Sequence, residues 1–135
     1  MAKRDGFHTA TPYMVTKNAA AAMEFYKKAF DAVELERQSD ASGKVRHGEF
    51  QIGDSPFMIT DESNQFPDMR APADGKMSPV QIFLYVEDVD AVAAQAQAAG
   101  AILFHPLQNQ PYGRSGGLRD PFGHTWWICT HAEGS

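Results

Sequence analysis

Hydrophobic and polar positions change period along this chain in a fixed order, and that order occurs twice. "TPYMV" from Thr11 is a short apolar run. Beyond Asn18, Met23, Tyr26, Ala29 and Phe30 recur at helical spacing and predict an amphipathic helix. Three strand-like runs follow at 32–38, 44–53 and 55–62, the first two separated by the turn-forming "SDASGK". The sequence then repeats the plan. "QIFLYV" from Gln81 is the apolar run, and Val89, Val92, Ala93, Ala96 and Ala99 make the second helical stripe. Strand candidates stand at 101–107, around 115–120 and at 124–131, the last introduced by the β-turn "DPFG".

Capping chemistry agrees with the periodicity. Asn18 and Asp88 stand where an N-cap side chain would accept a free backbone N–H. Asp90 suits the positive end of a helix dipole, and Gly100 suits a helix stop. Thr11 to Gln81 is an offset of 70 and Met58 to Trp127 an offset of 69. The chain is therefore expected to be α+β: a single domain of two tandem βαβββ units, about 9–62 and 80–131, joined by the Pro-rich, polar linker 63–79. A four-stranded sheet with one helix has one face uncovered. Two such open, curved, mixed sheets would surround a concave pocket, the usual place for a small molecule.

Composition narrows the function classes. The 135 residues carry a net charge of −5, with 43% hydrophobic residues. That suits a globular protein and disfavours nucleic acid as a partner, since the only basic patch, Lys3–Arg4, is followed at once by Asp5. The N-terminus lacks the apolar stretch of a signal peptide, and no run approaches the roughly 20 residues that cross a bilayer. A cytoplasmic protein with no membrane partner is expected. The single cysteine, Cys129, lies in the apolar "TWWICT" and is expected in the core. No glycine-rich dinucleotide-like fingerprint supports a methyltransferase.

The motifs "FYKKAF" (25–30), "YVEDVDA" (85–91), "AAGA" (98–101) and "YGRSGGLRDPFGH" (112–124) resemble those of the vicinal oxygen chelate superfamily. That superfamily includes glyoxalase I, extradiol dioxygenases, fosfomycin-resistance and bleomycin-resistance proteins. "TPYMV", "VRHGEFQIGDS" and "DPFGHTWW" look most like its PhnB-like branch. The resemblance spans about residues 9–131. It implies a homodimer, as do strand edges that find no partner within the chain. It also implies four positions for the ligands of a divalent ion, two in each unit. In this chain these read Thr11, Met58, Gln81 and Trp127. Only Gln81 is a plausible oxygen donor, whereas such an ion needs about three good ones. Neither a metal nor another cofactor is expected.

The five histidines, His8, His47, His105, His124 and His131, show no zinc-like spacing. His105 is expected in a loop, and His124 on local backbone after the turn. The strand "KVRHGEFQIG" offers more. Alternation puts His47, Glu49 and Gln51 on one face and Phe50 and Ile52 on the other. His47 and Glu49 are the candidate acid–base pair or polar ligand anchors, set against an ordinary solvated face, the expected place for Glu49. The expected pocket lining is Thr11, Tyr13, Met58, Gln81, Tyr85 and Trp127. Phe83 and Cys129 share its parity but, Phe83 above all, suit packed core. Tyr112 and Arg114 are expected on a glycine-rich lid, with Arg114 suited to an anionic ligand. A metal-independent small-molecule binder fits this pattern best. The alternatives are a metal-dependent lyase, isomerase or dioxygenase of the superfamily, and a metal-free enzyme using His47.

Overall fold

The computed structural model describes residues 2–133, and its contacts divide the chain after Ala71 into two compact units. The first contains β1 (Tyr13–Thr16), α1 (Ala19–Phe30), β2 (Val33–Ser39), β3 (Val45–Ile52) and β4 (Ser55–Asp61). The second contains β5 (Ile82–Tyr85), α2 (Val89–Ala99), β6 (Ile102–Gln110), β7 (Gly113–Arg119) and β8 (Thr125–His131). The sheet orders are β1-β4-β3-β2 and β5-β8-β7-β6. In each, the opening strand runs parallel to the closing one and the other pairs are antiparallel. The class is α+β with two open mixed sheets, as the repeat predicts.

Both expected caps form. The Asn18 side chain accepts from Ala21 N at 3.0 Å, and the Asp88 side chain from Ala91 N at 3.1 Å. Each helix is also tied to the end of its closing strand. In the first unit Ala19 N donates to Asp61 Oδ1 at 2.6 Å; in the second, Val89 N donates to Thr130 Oγ1 at 2.9 Å. These are equivalent positions of the repeat. Gly100 ends α2 at φ 122°, whereas Asp31 ends α1 in the left-handed region at φ 57°.

Each helix covers one sheet face. Under α1, Tyr26, Phe50 and Phe57 form a stack with centroids 5.0 Å apart at each step. Gly48 leaves room there, because a Cβ would come within 2.9 Å of Met23 Sδ and Ile59 Cγ2. α2 is alanine-rich and presents little volume, so the sheet supplies it: Trp126, Ile128 and Leu118 are all buried. Burying side chains of this size stabilises by roughly 1.5–3 kcal/mol each. Asp120 fixes the turn before β8, accepting from Phe122 N and His124 N through Oδ1 and from Trp126 Nε1, at 2.8 Å, through Oδ2.

Three local expectations change. The linker is shared between the units: Ala71 N is held by Glu62 at 2.8 Å, while Pro72 backs Gly123. His105 lies within β6, not in a loop. The strand absorbs Pro106, which has no N–H to donate, through register shifts on either side of His105. The glycine-rich 112–117 is no lid, since β7 begins at Gly113. Gly117 admits rings instead: a Cβ there would lie 2.7 Å from Phe104 Cζ and 2.9 Å from Trp127 Cζ3.

Candidate functional site

The sheet face opposite α1 is polar. Register places Tyr13 beside Met58, Met58 beside Glu49 and Glu49 beside Glu36, in a row across four strands. His47 is next along β3, its ring 6.3 Å from that of Tyr13. Glu49 has no exposure at all, contrary to the solvated position expected of it. Its carboxylate is fully engaged. Arg4 Nη1 and Nη2 donate to Oε2 and Oε1 at 2.6 and 2.9 Å, and His47 Nε2 lies 2.7 Å from Oε2. The Arg4 guanidinium, with His47 assisting against the cost of burial, holds the Glu49 carboxyl below the usual carboxylate range. It is therefore ionised at neutral pH. With the proton on Nε2, His47 leaves Nδ1 as an acceptor, the arrangement in which a carboxylate supports an imidazole base.

Glu36, His47 and Glu49 bring one ligand atom each within 4.8 Å of one another. Two carboxylates and an imidazole are donors a borderline cation accepts, but Arg4 engages both oxygens of Glu49. The segment before β1 carries this arginine across the face. It is held by Phe7, which is buried and lies 4.3 Å under the guanidinium, and by a 3.3 Å contact from His8 Nε2 to the carbonyl of Asp54. The segment, with Thr11 and Met58, lines a cavity of about 400 Å³.

The face opposite α2 is aromatic. Phe83, Trp127 and Gly117 are paired across β5, β8 and β7, and Tyr85 pairs with Cys129 beside them. Tyr85 is 70% exposed and Phe83 46%. Phe83 and Tyr85 meet edge to face at 5.2 Å, as do Phe104 and Trp127 at 5.4 Å. A depression of about 580 Å³ is lined by Tyr85, Val86, Glu87, Thr130 and His131. Tyr112 lies near this face, its hydroxyl 2.9 Å from Ser115 Oγ. Cys129 is buried as expected, which raises its thiol pKa above the ordinary value and keeps it protonated. Arg114 is turned away. It pairs with Asp90 in the first turn of α2 at 3.0 and 3.1 Å, and with Asn109 at 3.2 Å, so it stands on the helix side of β7.

The four positions that the resemblance assigns to metal ligands do not fit an ion. Met58 and Trp127 offer no hard donor. The single amide oxygen among them, Gln81 Oε1, accepts from Trp127 Nε1 at 2.7 Å, and Gln81 Nε2 donates to the carbonyl of Ser78 at 3.0 Å. Trp127 thus stands where the resemblance implies a donor, and its indole N–H takes up the amide oxygen of Gln81.

Sequence reasoning found His47 and Glu49 but missed Glu36 and Arg4. Alternation along β2 signals Glu36 only if the β2–β3 register is known, and two shifts alter that register. Arg4 lies outside every periodic element, and its sole signal is a lone basic pair.

Comparison with known proteins gives the same lineage. The chain is 40% identical over 119 residues to an uncharacterised protein of Mycobacterium bovis, covering 86% of this chain and 78% of that one. The crystal structure of TioX from Micromonospora sp. ML1 superposes with a TM-score of 0.70 at 27% identity, covering 91% of this chain and 99% of TioX. A PhnB protein from Bacillus cereus shares the fold at a TM-score of 0.71 and 21% identity, with 91% and 99% covered. The family profile matches residues 7–128, and the chain belongs to the glyoxalase/bleomycin resistance protein/dioxygenase superfamily.

Proposed function

We propose that this protein binds a small molecule on its helix-free sheet faces and needs no resident metal to do so. The Gln81–Trp127 hydrogen bond carries the reading. It satisfies the one plausible oxygen donor at the implied ligand positions and leaves an aromatic surface in its place. Phe83 and Tyr85 supply stacking area for a planar or amphipathic ligand on the second unit's face, with Tyr112 as a further contact there. Tyr13 with the Thr11–Met58 edge offers a separate surface on the first unit's face. Arg114, spent on Asp90, takes no part.

Metal analysis together with a thermal-shift screen of drugs, catechols and glutathione adducts tests this. Sub-stoichiometric nickel, zinc, manganese and iron are expected, with a ligand that raises Tm. Tyr85→Ala should weaken that ligand about tenfold without lowering Tm, because Tyr85 is exposed. A stoichiometric metal, with ligand binding lost on chelation, overturns the proposal.

The His47–Glu49 contact favours a second reading, a metal-free acid–base enzyme. Turnover of a bound ligand, lost in His47→Gln while binding persists, would establish it. The exposed edge residues Val33 on β2 and Ile102 on β6 accord with a homodimer, which sedimentation checks directly. Among the described residues no helix is long and apolar enough to cross a membrane.

A further inference from the structure

We infer that the helix-free face of the first unit is a site for a planar organic cation, a guanidinium or amidinium carried by a small molecule, and that Arg4 is the chain's own occupant of it. This rests on the proposed small-molecule function and names the ligand class for one of its faces.

The carboxylate comes first. Glu49 is rooted in the central strand β3 and wholly buried, and a buried carboxylate costs several kcal/mol unless it is paired and hydrogen-bonded. Its partner cation is not rooted in the sheet. Arg4 belongs to a segment without helix or strand, and its side chain is 59% exposed. The fixed half of the pair is therefore the acid, and the exchangeable half is the cation.

The geometry specifies the shape of that cation. The two Arg4 nitrogens meet the two Glu49 oxygens one to one, a fork-to-fork match that a planar, two-donor group makes and a spherical ammonium does not. The Phe7 ring, 4.3 Å from the guanidinium carbon, supplies a flat face for stacking. Glu36 adds a second negative charge. The adjoining cavity, about 400 Å³, lies between Thr11 and Met58 and the segment that carries Arg4, Lys3 included. Its volume falls within the usual range for small-molecule sites and has room for the rest of the ligand. A ligand that displaces the Arg4 side chain while Phe7 stays buried in its place would inherit the Glu49 and Phe7 contacts.

The probe is benzamidine, titrated calorimetrically into the full chain and into Arg4→Ala, with circular dichroism confirming that the variants are folded. Arg4→Ala should bind benzamidine at least tenfold more tightly than the unaltered chain. Adding Glu49→Gln, which keeps the shape and removes the charge, should abolish that gain, and Glu36→Gln should reduce it a few-fold. Equal benzamidine affinity with and without Arg4, or binding that survives Glu49→Gln, overturns the inference. So does stoichiometric zinc binding by Arg4→Ala without benzamidine binding, which would make the cluster a metal site. Failure of the benzamidine test, together with a thermal-shift ligand that binds the Arg4→Ala, Glu49→Gln chain as well as the unaltered one, would leave the proposed function standing and sink only this inference.

Discussion

The two units are built to one plan and furnished in opposite ways. In the first, aromatic volume lies between helix and sheet, in the Tyr26–Phe50–Phe57 stack, and the open face is ionic. In the second, the helix is alanine-rich, one tryptophan fills the core, and the open face carries the rings. Even the helix tether differs, a carboxylate in one and a hydroxyl in the other at the same repeat position. The shared topology thus constrains the covered faces to be apolar and leaves the open faces to diverge. One face is suited to selecting charge and the other to supplying contact area.

The largest effects should come from each unit's core. Phe50→Ala and Trp126→Ala are each expected to cost about 3–5 kcal/mol in urea unfolding. Trp126→Ala should be the worse, since it also strips the buried Asp120 of a donor. A reversed order would mean that the alanine-rich helix settles onto the vacated space.

The tethers come next. Asp61→Ala leaves the buried N–H groups of Ala19 and Val45 without their acceptor, at a cost of about 2–4 kcal/mol. Thr130→Val removes one acceptor, from Val89, and should cost about 1 kcal/mol. Equal losses would show that the carboxylate adds nothing over the hydroxyl.

Glycine substitutions separate the covered from the open face. Gly48→Ala presses into Met23 and Ile59 beneath α1 and should cost about 1–3 kcal/mol. Gly117→Ala meets Phe104, a partly exposed ring with room to yield, so its thermal-unfolding penalty should be smaller.

Arg4→Ala should have the smallest effect on stability, because truncating this exposed side chain opens Glu49 to water while His47 stays bonded to it, and it should have the most informative pH dependence. Arg4 depresses the Glu49 pKa. A carboxyl depressed on folding stabilises the protein above its unfolded value, about 4.3, and that stability is lost as pH falls through the folded value. The Tm gap between variant and parent should be full at neutral pH and close in acid. A gap that widens in acid would remove Glu49 as its source.

Much of this was legible in the sequence because the relevant signals are local. Asn18, Asp88, Gly100 and "DPFG" each act within a few residues, and the period change from 2 to 3.6 marks every element. Trp127 was legible through the family resemblance, as a residue other than the donor implied at that position. The electrostatics were not, because they depend on long-range pairing. Glu49 looked solvated for want of Arg4, 45 residues earlier. Glu36 joins it only through a β2–β3 register with two shifts. Arg114 looked free because Asp90, its partner, lies on a different element.

The adjacent tryptophans of β8 have a spectroscopic consequence. Strand alternation sends Trp126 into the core and Trp127 to the open face, and the chain has no other indole. The intrinsic emission is therefore a two-component signal from one unit: a buried, quencher-resistant indole bonded to a carboxylate, and a partly exposed one bonded to an amide. Acrylamide should separate the two, and whatever settles on that face will be seen by one indole before the other.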